Sequence, residues 1–185
     1  MEVCLDEVTA VALVRQGNAN AFGHIIGQYH APIFRYLYHL TGDFELTRDL
    51  VQDTFIQAYE NMKKTDSGIS LKPWLYTIAE NNVRRHYRRK KLVTFLHFSD
   101  SGSDTVSSGD WTGKTDRSLA IREAMLKVPY KNRVCMVLHF IEGFKYREIA
   151  AMLGISKEAV RKRVTRGSLE FRDHYSGKGV ENELL

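Results

Sequence analysis

The side chains with most chemical content in this chain are cations at helical spacing. Lys157, Arg161, Lys162, Arg163 and Arg166 follow a turn centred on Gly154, and Val160 and Val164, four residues apart, supply an apolar stripe behind them. A buried stripe backed by an outward cationic face suits a recognition helix in a DNA major groove. A second cationic run is denser: six of the eight residues from Arg84 to Lys91 are Lys or Arg, with Tyr87 among them and Trp74 and Tyr76 upstream. Rings beside a cationic track fit unstacked bases and their phosphates, at about 1–3 kcal/mol per stacked base. Trp74 and Tyr76 read equally well as core anchors. A third segment has the opposite sign. Glu45, Asp49, Asp53 and Glu60 stand against Arg48 alone, with Gln52 beside Asp49 and Asp53. That edge is either a solvated face or a docking face for a basic protein.

Other chemistries are poorly provided for. Cys4 and Cys135 are far apart and neither belongs to a metal-spaced pair, so a zinc site or a disulfide is not expected. A nuclease or recombinase would need convergent carboxylates for metal or an activated nucleophile. The acidic residues near Asp49 lie on a regular face without such partners. No catalytic residue, metal or cofactor is therefore expected. The 185 residues carry a formal charge of +5 and 43% hydrophobic residues, ordinary for a globular chain. No apolar run approaches the roughly 20 residues that span a bilayer, and the start lacks the basic segment of a signal peptide. A cytoplasmic protein without direct membrane insertion is expected.

The elements that must position these groups are helical throughout. A first helix is expected over Asp6 to Gln16, ending near Gly17. Asn18 caps a second, with Phe22, Ile25, Ile26 and Tyr29 at helical spacing. Pro32 opens a third, and Thr41-Gly42-Asp43 breaks the chain. A fourth runs from Glu45 to Met62 with Leu46, Leu50, Val51, Ile56 and Tyr59 inward. A polar loop, Lys63 to Ser70, leads to a fifth from Pro73 to Lys91. Phe98 to Arg117 is rich in Ser, Gly, Asp and Thr and nearly free of aliphatic residues, which reads as an acidic tether; Trp111 within it is either a docking point or part of a spacer. A second block begins near Ser118, with Ile121, Ala124, Met125 and Val128 on one face and Val134, Val137, Leu138 and Ile141 on the next helix. Then Ile149, Ala150 and Leu153 precede Gly154, Ile155 plugs the corner, and Ser156 caps the basic helix. The expected architecture is all-α: two small helical domains, 1–94 and 118–176, joined by a flexible acidic linker, 95–117, with a frayed tail, 177–185.

In their order, these segments resemble a known family. Leu40 to Asp43, Asp49 to Tyr59, and Trp74 to Ala79 with Asn81 are similar to region 2 of the extracytoplasmic-function (ECF) sigma factors of the sigma-70 family. Arg122 to Arg133, Phe140 to Tyr146 and the helix-turn-helix resemble region 4. The resemblance implies a sigma factor that directs bacterial core RNA polymerase to promoters and assists their opening, without catalysing a reaction itself. It implies that Asp49, Gln52 and Asp53 bind the coiled coil of the largest polymerase subunit, with the flap region a further polymerase contact. It assigns Lys64, Ser67, Lys72, Trp74, Tyr76, Asn81, Arg84, Arg85 and Arg88 to the melted minus-10 element. It assigns Lys157, Glu158, Arg161, Lys162, Arg163 and Arg166 to the duplex minus-35 element. It also implies an anti-sigma factor, often membrane-anchored, as a partner. Glu80, Arg85, Thr77, Lys162 and Gly167 depart from common family residues. Gly167 lowers helix propensity by about 1 kcal/mol relative to Ala, and either admits close packing or loosens the helix. A conventional helix-turn-helix regulator is the competing reading. It leaves the acidic helix and the aromatic-basic helix unexplained.

Overall fold

The structure, a computed structural model, describes residues 6–64, 70–96 and 116–181. Among the described residues every regular element is helical: α1 (Glu7–Arg15), α2 (Ala19–Thr41), α3 (Phe44–Met62), α4 (Leu71–Leu96), α5 (Asp116–Lys127), α6 (Tyr130–Met136), a π-helical turn (Val137–Ile141), α7 (Tyr146–Leu153) and α8 (Lys157–Glu181). They form two compact units, Met1–Leu37 with Leu46–Thr105, and Tyr38–Glu45 with Val106–Leu185. The expected linker, with Trp111, lies outside the described residues apart from its ends, as does Ser67.

In the first unit local signals set the helix starts. The Asp6 carboxylate accepts a hydrogen bond from the Thr9 N–H at 2.8 Å and caps α1. That bond holds the Asp6 carboxyl below its usual value. Asn18 Oδ1 accepts from the N–H groups of Asn20 and Ala21 at 3.1 and 3.4 Å, as the sequence predicts. The Tyr29 hydroxyl donates to Glu7 at 2.6 Å and ties α1 to α2. Burial, and then that carboxylate, push the phenol's ionisation upward.

The break expected at Pro32 is absent: α2 is one helix with Pro32 inside it. A mid-helix proline costs about 3 kcal/mol. On either side of it Tyr29, Ile33, Tyr36 and Leu37 are buried, and each such side chain contributes roughly 1.5–3 kcal/mol. Burial outweighs the lost hydrogen bond, so the helix continues. Residues 50, 54, 58 and 62 of α3, all buried, form its inward stripe. Ile56, expected inward, is 48% exposed, because it lies two residues from both Thr54 and Ala58 and so points away from that stripe.

The second unit is a short-helix bundle built around α6 and α8. Val134, Cys135, Met136, Val137 and Leu138 are all buried, so this stretch is enclosed on every side rather than amphipathic. The π-helical turn at its end carries His139, whose Nδ1 lies 3.0 Å from the Phe144 carbonyl oxygen, before Gly143 at φ 77° redirects the chain. Arg133 Nη1 donates to the Leu126 carbonyl at 3.2 Å, and Asn132 Nδ2 to Glu170 Oε2 at 2.9 Å; the second bond fastens α6 to α8.

Candidate nucleic-acid and protein interfaces

The helix-turn-helix is assembled as its residue types dictate. Glu148 accepts from the Lys145 N–H at 2.7 Å and caps α7. Gly154 ends α7 in the left-handed region, φ 63° and ψ 37°, with its N–H on the Ala150 carbonyl; a side chain there would be strained. Ser156 Oγ accepts from the Ala159 N–H at 3.1 Å and starts α8. Ile149, Val160 and Val164 are buried and seat α8 on its neighbours. Lys157, Glu158, Arg161, Lys162 and Arg166 are exposed on the other side, and Arg163 is half-buried at the edge. All six residues named from the sequence thus fall on one continuous helix, five of them open to a partner. Glu158 lies 3.3 Å from Arg161, with both side chains 65% exposed. Such a pair adds little stability, but it offsets part of the Arg161 charge in the first turn of α8.

Gly167 resolves as a packing residue. It is buried within α8. A Cβ there would meet Met136 Sδ at 2.4 Å, Met136 Cγ at 3.0 Å and Asn132 Cβ at 3.2 Å. The glycine lets α8 approach α6 closely.

In the first unit α4 gathers the other candidates. Asn81, Arg84, Arg85 and Arg88 are exposed, and the spacing of three, four and seven puts them on one stripe. Half-buried Trp74, seven residues before Asn81, extends the stripe by two turns. Lys64 is exposed beyond the end of α3. Lys72 is half-buried, its ammonium 5.9 Å from the centre of the Tyr76 ring.

Tyr76 does not belong with this set. Its ring is fully buried, 5.0 Å from that of Tyr36. No base can stack on it, so the core reading replaces the DNA-contact reading. The reason is its position: Leu75, Tyr76, Ala79 and Val83 form the buried side of α4. Arg84 is exposed but directed, since Glu80, nearly fully buried, holds its guanidinium at 3.3 Å.

Asp49, Gln52 and Asp53 are all exposed on α3, and their three- and four-residue spacing gives one polar edge. Beside it, α2 and α3 enclose an open groove of about 720 Å³, lined by apolar side chains including Phe22, Ile26, Val51, Phe55 and Ile56, with Gln52 at its rim. The groove was not visible in the sequence, because its walls come from two helices and Ile56, which lines it, was expected inward. Also unforeseen was a buried amide, Asn82, which bonds to Gln57 and Thr54 across the α3–α4 seam. Polar residues interrupting the apolar stripes of both helices were the available signal.

Among the described residues no cluster of His, Cys, Asp or Glu could hold a metal ion, and no helix is long and apolar enough to cross a membrane.

Comparison with known proteins places both units in one family. Residues 25–93 match the family model for sigma-70 region 2, and residues 118–170 match that for sigma-70 region 4. The chain is 30% identical over 162 residues to the RNA polymerase sigma factor YlaC of Bacillus subtilis, covering 85% of this chain and 93% of that protein. It is 30% identical over 165 residues to the ECF RNA polymerase sigma factor SigW of the same organism, covering 83% and 88%. The fold is similar to that of the sigma factor RpoE solved in complex with the anti-sigma factor NepR from Bartonella quintana, with a TM-score of 0.71 at 21% identity over 85% of this chain and 98% of the other. It is also similar to CnrH solved with the cytosolic domain of CnrY, with a TM-score of 0.67 at 22% identity, over 92% and 97%. With both regions matched in order along one chain, the protein is a member of the ECF group of sigma-70 RNA polymerase sigma factors.

Proposed function

We propose that the two units divide the work of promoter selection, with polymerase supplying all the chemistry. The polar edge of α3, Asp49, Gln52 and Asp53, docks on a basic surface of core RNA polymerase, the coiled coil of its largest subunit. The stripe of α4, with Trp74, Asn81, Arg84, Arg85 and Arg88, takes up the minus-10 strand as it opens, and Lys64 and Lys72 flank that path; Ser67 is assigned to the same element from its place in the sequence alone. The outward face of α8 reads the minus-35 duplex. The domain limits are those of the sequence reading, 1–94 and 118–176. The observation that carries this reading is the coexistence of the exposed acidic edge of α3 with two separate cationic helix faces, because a protein that bound only duplex DNA would have no use for the acidic edge.

The protein works in the cytoplasm, where its polymerase is, and an anti-sigma factor holds it inactive by covering these faces. The two solved neighbours, a sigma factor in complex with its anti-sigma factor and CnrH in complex with the cytosolic domain of CnrY, support that part.

The test is transcription from a library of random promoters by purified core polymerase, with and without this protein. Transcripts that need both components, sharing two sequence elements upstream of their starts, are the expected result. No stimulation, together with specific duplex binding by the protein alone, would replace this reading with that of a conventional regulator.

A further inference from the structure

We infer that Asn82 is a positioning residue for promoter opening: it sets the angle at which α4 presents its DNA-facing stripe. This rests on the reading of α4 as the minus-10 helix and α3 as the polymerase-docking helix. Asn82 is 4% exposed and follows Asn81, which is open to solvent. It cannot touch DNA, yet it ties α4 to α3 by two side-chain hydrogen bonds. Its Nδ2 donates to Thr54 Oγ1 at 3.3 Å, and its Oδ1 accepts from Gln57 Nε2 at 3.0 Å. The Thr54 hydroxyl spends its own proton on the Leu50 carbonyl at 2.6 Å.

These bonds have a fixed direction. Because the Thr54 proton is committed to Leu50, its oxygen can only accept from Asn82. That orients the Asn82 amide with nitrogen toward Thr54 and oxygen toward Gln57, which must then donate. The assignment therefore follows from the network rather than from either amide alone. Apolar contacts around it are non-directional and tolerate small rotations of α4. The chain from Gln57 through Asn82 and Thr54 to Leu50 closes at one rotational setting. Since successive residues lie about 100° apart around a helix, a rotation that draws Asn82 off Thr54 also turns Asn81, Arg85 and Arg88.

A purely structural role predicts something different. Without Asn82, Thr54 keeps its bond to Leu50, and half-exposed Gln57 can turn to water. Asn82→Leu therefore strands no buried polar group, and the fold should survive while the directional lock is lost.

The experiment uses the full chain assembled with core polymerase on a promoter it transcribes. Opening of the duplex template is followed by permanganate reactivity of minus-10 thymines, and the same template carrying a pre-opened minus-10 mismatch is followed by the rate of first-transcript formation. For Asn82→Leu we expect opening of the duplex to slow about tenfold, since misplacement of positioned groups by around 1 Å can cost up to ~100-fold. The pre-opened template should be affected less than about twofold, on the scale where tenfold is 1.36 kcal/mol. In a cycle with Gln57→Leu the double variant should open no more slowly than Asn82→Leu alone, because both break one chain of bonds. If Asn82→Leu fails to fold, Gln57→Leu carries the test, with slowing in the same direction. Wild-type opening rates in the variants, or additive losses in the cycle, would overturn the positioning role. Failure of the wild-type protein itself to produce reactive thymines would instead overturn the minus-10 reading of α4.

Discussion

Gly167→Ala should destabilise the unit that contains α8, although alanine is the better helix former. Helix propensity alone favours the substitution by about 1 kcal/mol. Against this, the new Cβ would sit 2.4 Å from Met136 Sδ, 3.0 Å from Met136 Cγ and 3.2 Å from Asn132 Cβ. Asn132 has little freedom to retreat, because its amide is bonded to Glu170 at 2.9 Å. Met136 is 4% exposed and enclosed by its neighbours. An extra methyl in such a site typically costs 1–3 kcal/mol. The net expectation is a loss of up to about 2 kcal/mol, or roughly 10 °C in melting temperature at about 4–8 °C per kcal/mol for a unit of this size. Both tryptophans, Trp74 and Trp111, lie before Asp116, so their fluorescence does not report α5 to α8 directly. The assay is urea unfolding followed by circular dichroism at the helical band. Met136→Ala provides the control background. It is itself destabilising, but it removes the obstruction, so Gly167→Ala added to it should stabilise by up to about 1 kcal/mol. A change of sign between the two backgrounds is the signature of a steric notch. A higher urea midpoint for Gly167→Ala in the wild-type background would refute the argument, and would mean that Met136 moves aside without strain.

Replacing Gln52 with Ala and Asp53 with Arg should weaken binding to core polymerase about tenfold or more, about 1.4 kcal/mol, with an unchanged circular dichroism spectrum because both side chains are exposed. Unaltered binding would remove α3 from the interface. Arg161→Ala with Arg163→Ala should depress transcription mainly at promoters that carry the upstream element. It should also flatten the salt dependence of duplex binding by about 0.9 in log–log slope per lost phosphate contact; equal loss on templates without that element would contradict the recognition-helix reading. Tyr29 makes the first unit sensitive to alkali. Its raised ionisation in the fold means that the contribution is complete below the unfolded value of about 10 and declines as pH climbs past it. Tyr29→Phe should therefore flatten the loss of stability above that pH, and an unchanged profile in urea titrations would count against the Glu7–Tyr29 tie.

Local grammar made the helix-turn-helix legible. Gly154, Ser156 and the Val160–Val164 pair each specify their own conformation from nearest neighbours, and the left-handed turn, the cap and the buried stripe all formed as expected. Where tertiary burial decides, sequence reasoning went astray. Pro32 is a local stop signal overruled by the apolar residues around it, and Ile56 is an apolar residue left outside because its stripe was filled by Thr54 and Ala58. Tyr76 illustrates an ambiguity that composition cannot lift. A ring beside cations looks the same in sequence whether it faces a base or packs on Tyr36, and only the side of α4 it shares with Leu75 and Val83 separates the two. Gly167 and Asn82 were illegible for a common reason: each is explained by a residue on another helix, Met136 for the first and Thr54 for the second.

The sign of the charge on each helix carries the functional argument further than the net charge does. A total of +5 over 185 residues would permit only modest attraction to a polyanion if it were spread evenly. It is not spread evenly: Asp49, Asp53 and Glu60 are exposed on α3, while Arg84, Arg85, Arg88, Arg89 and Lys90 are exposed on α4. These helices belong to the same compact unit. On the reading proposed above, phosphate would gain from the α4 cations and be repelled at the α3 edge, which would favour one orientation of a nucleic acid on this unit. The α3 edge would then be left to a partner with basic groups, and docking there would add no competition for the α4 stripe. On that reading, opposite signs on neighbouring helices would keep two partners sorted, a use of charge for specificity more than for affinity. The lock proposed at Asn82 would add geometry to this sorting, because its bonds to Thr54 and Gln57 join the two oppositely charged helices directly.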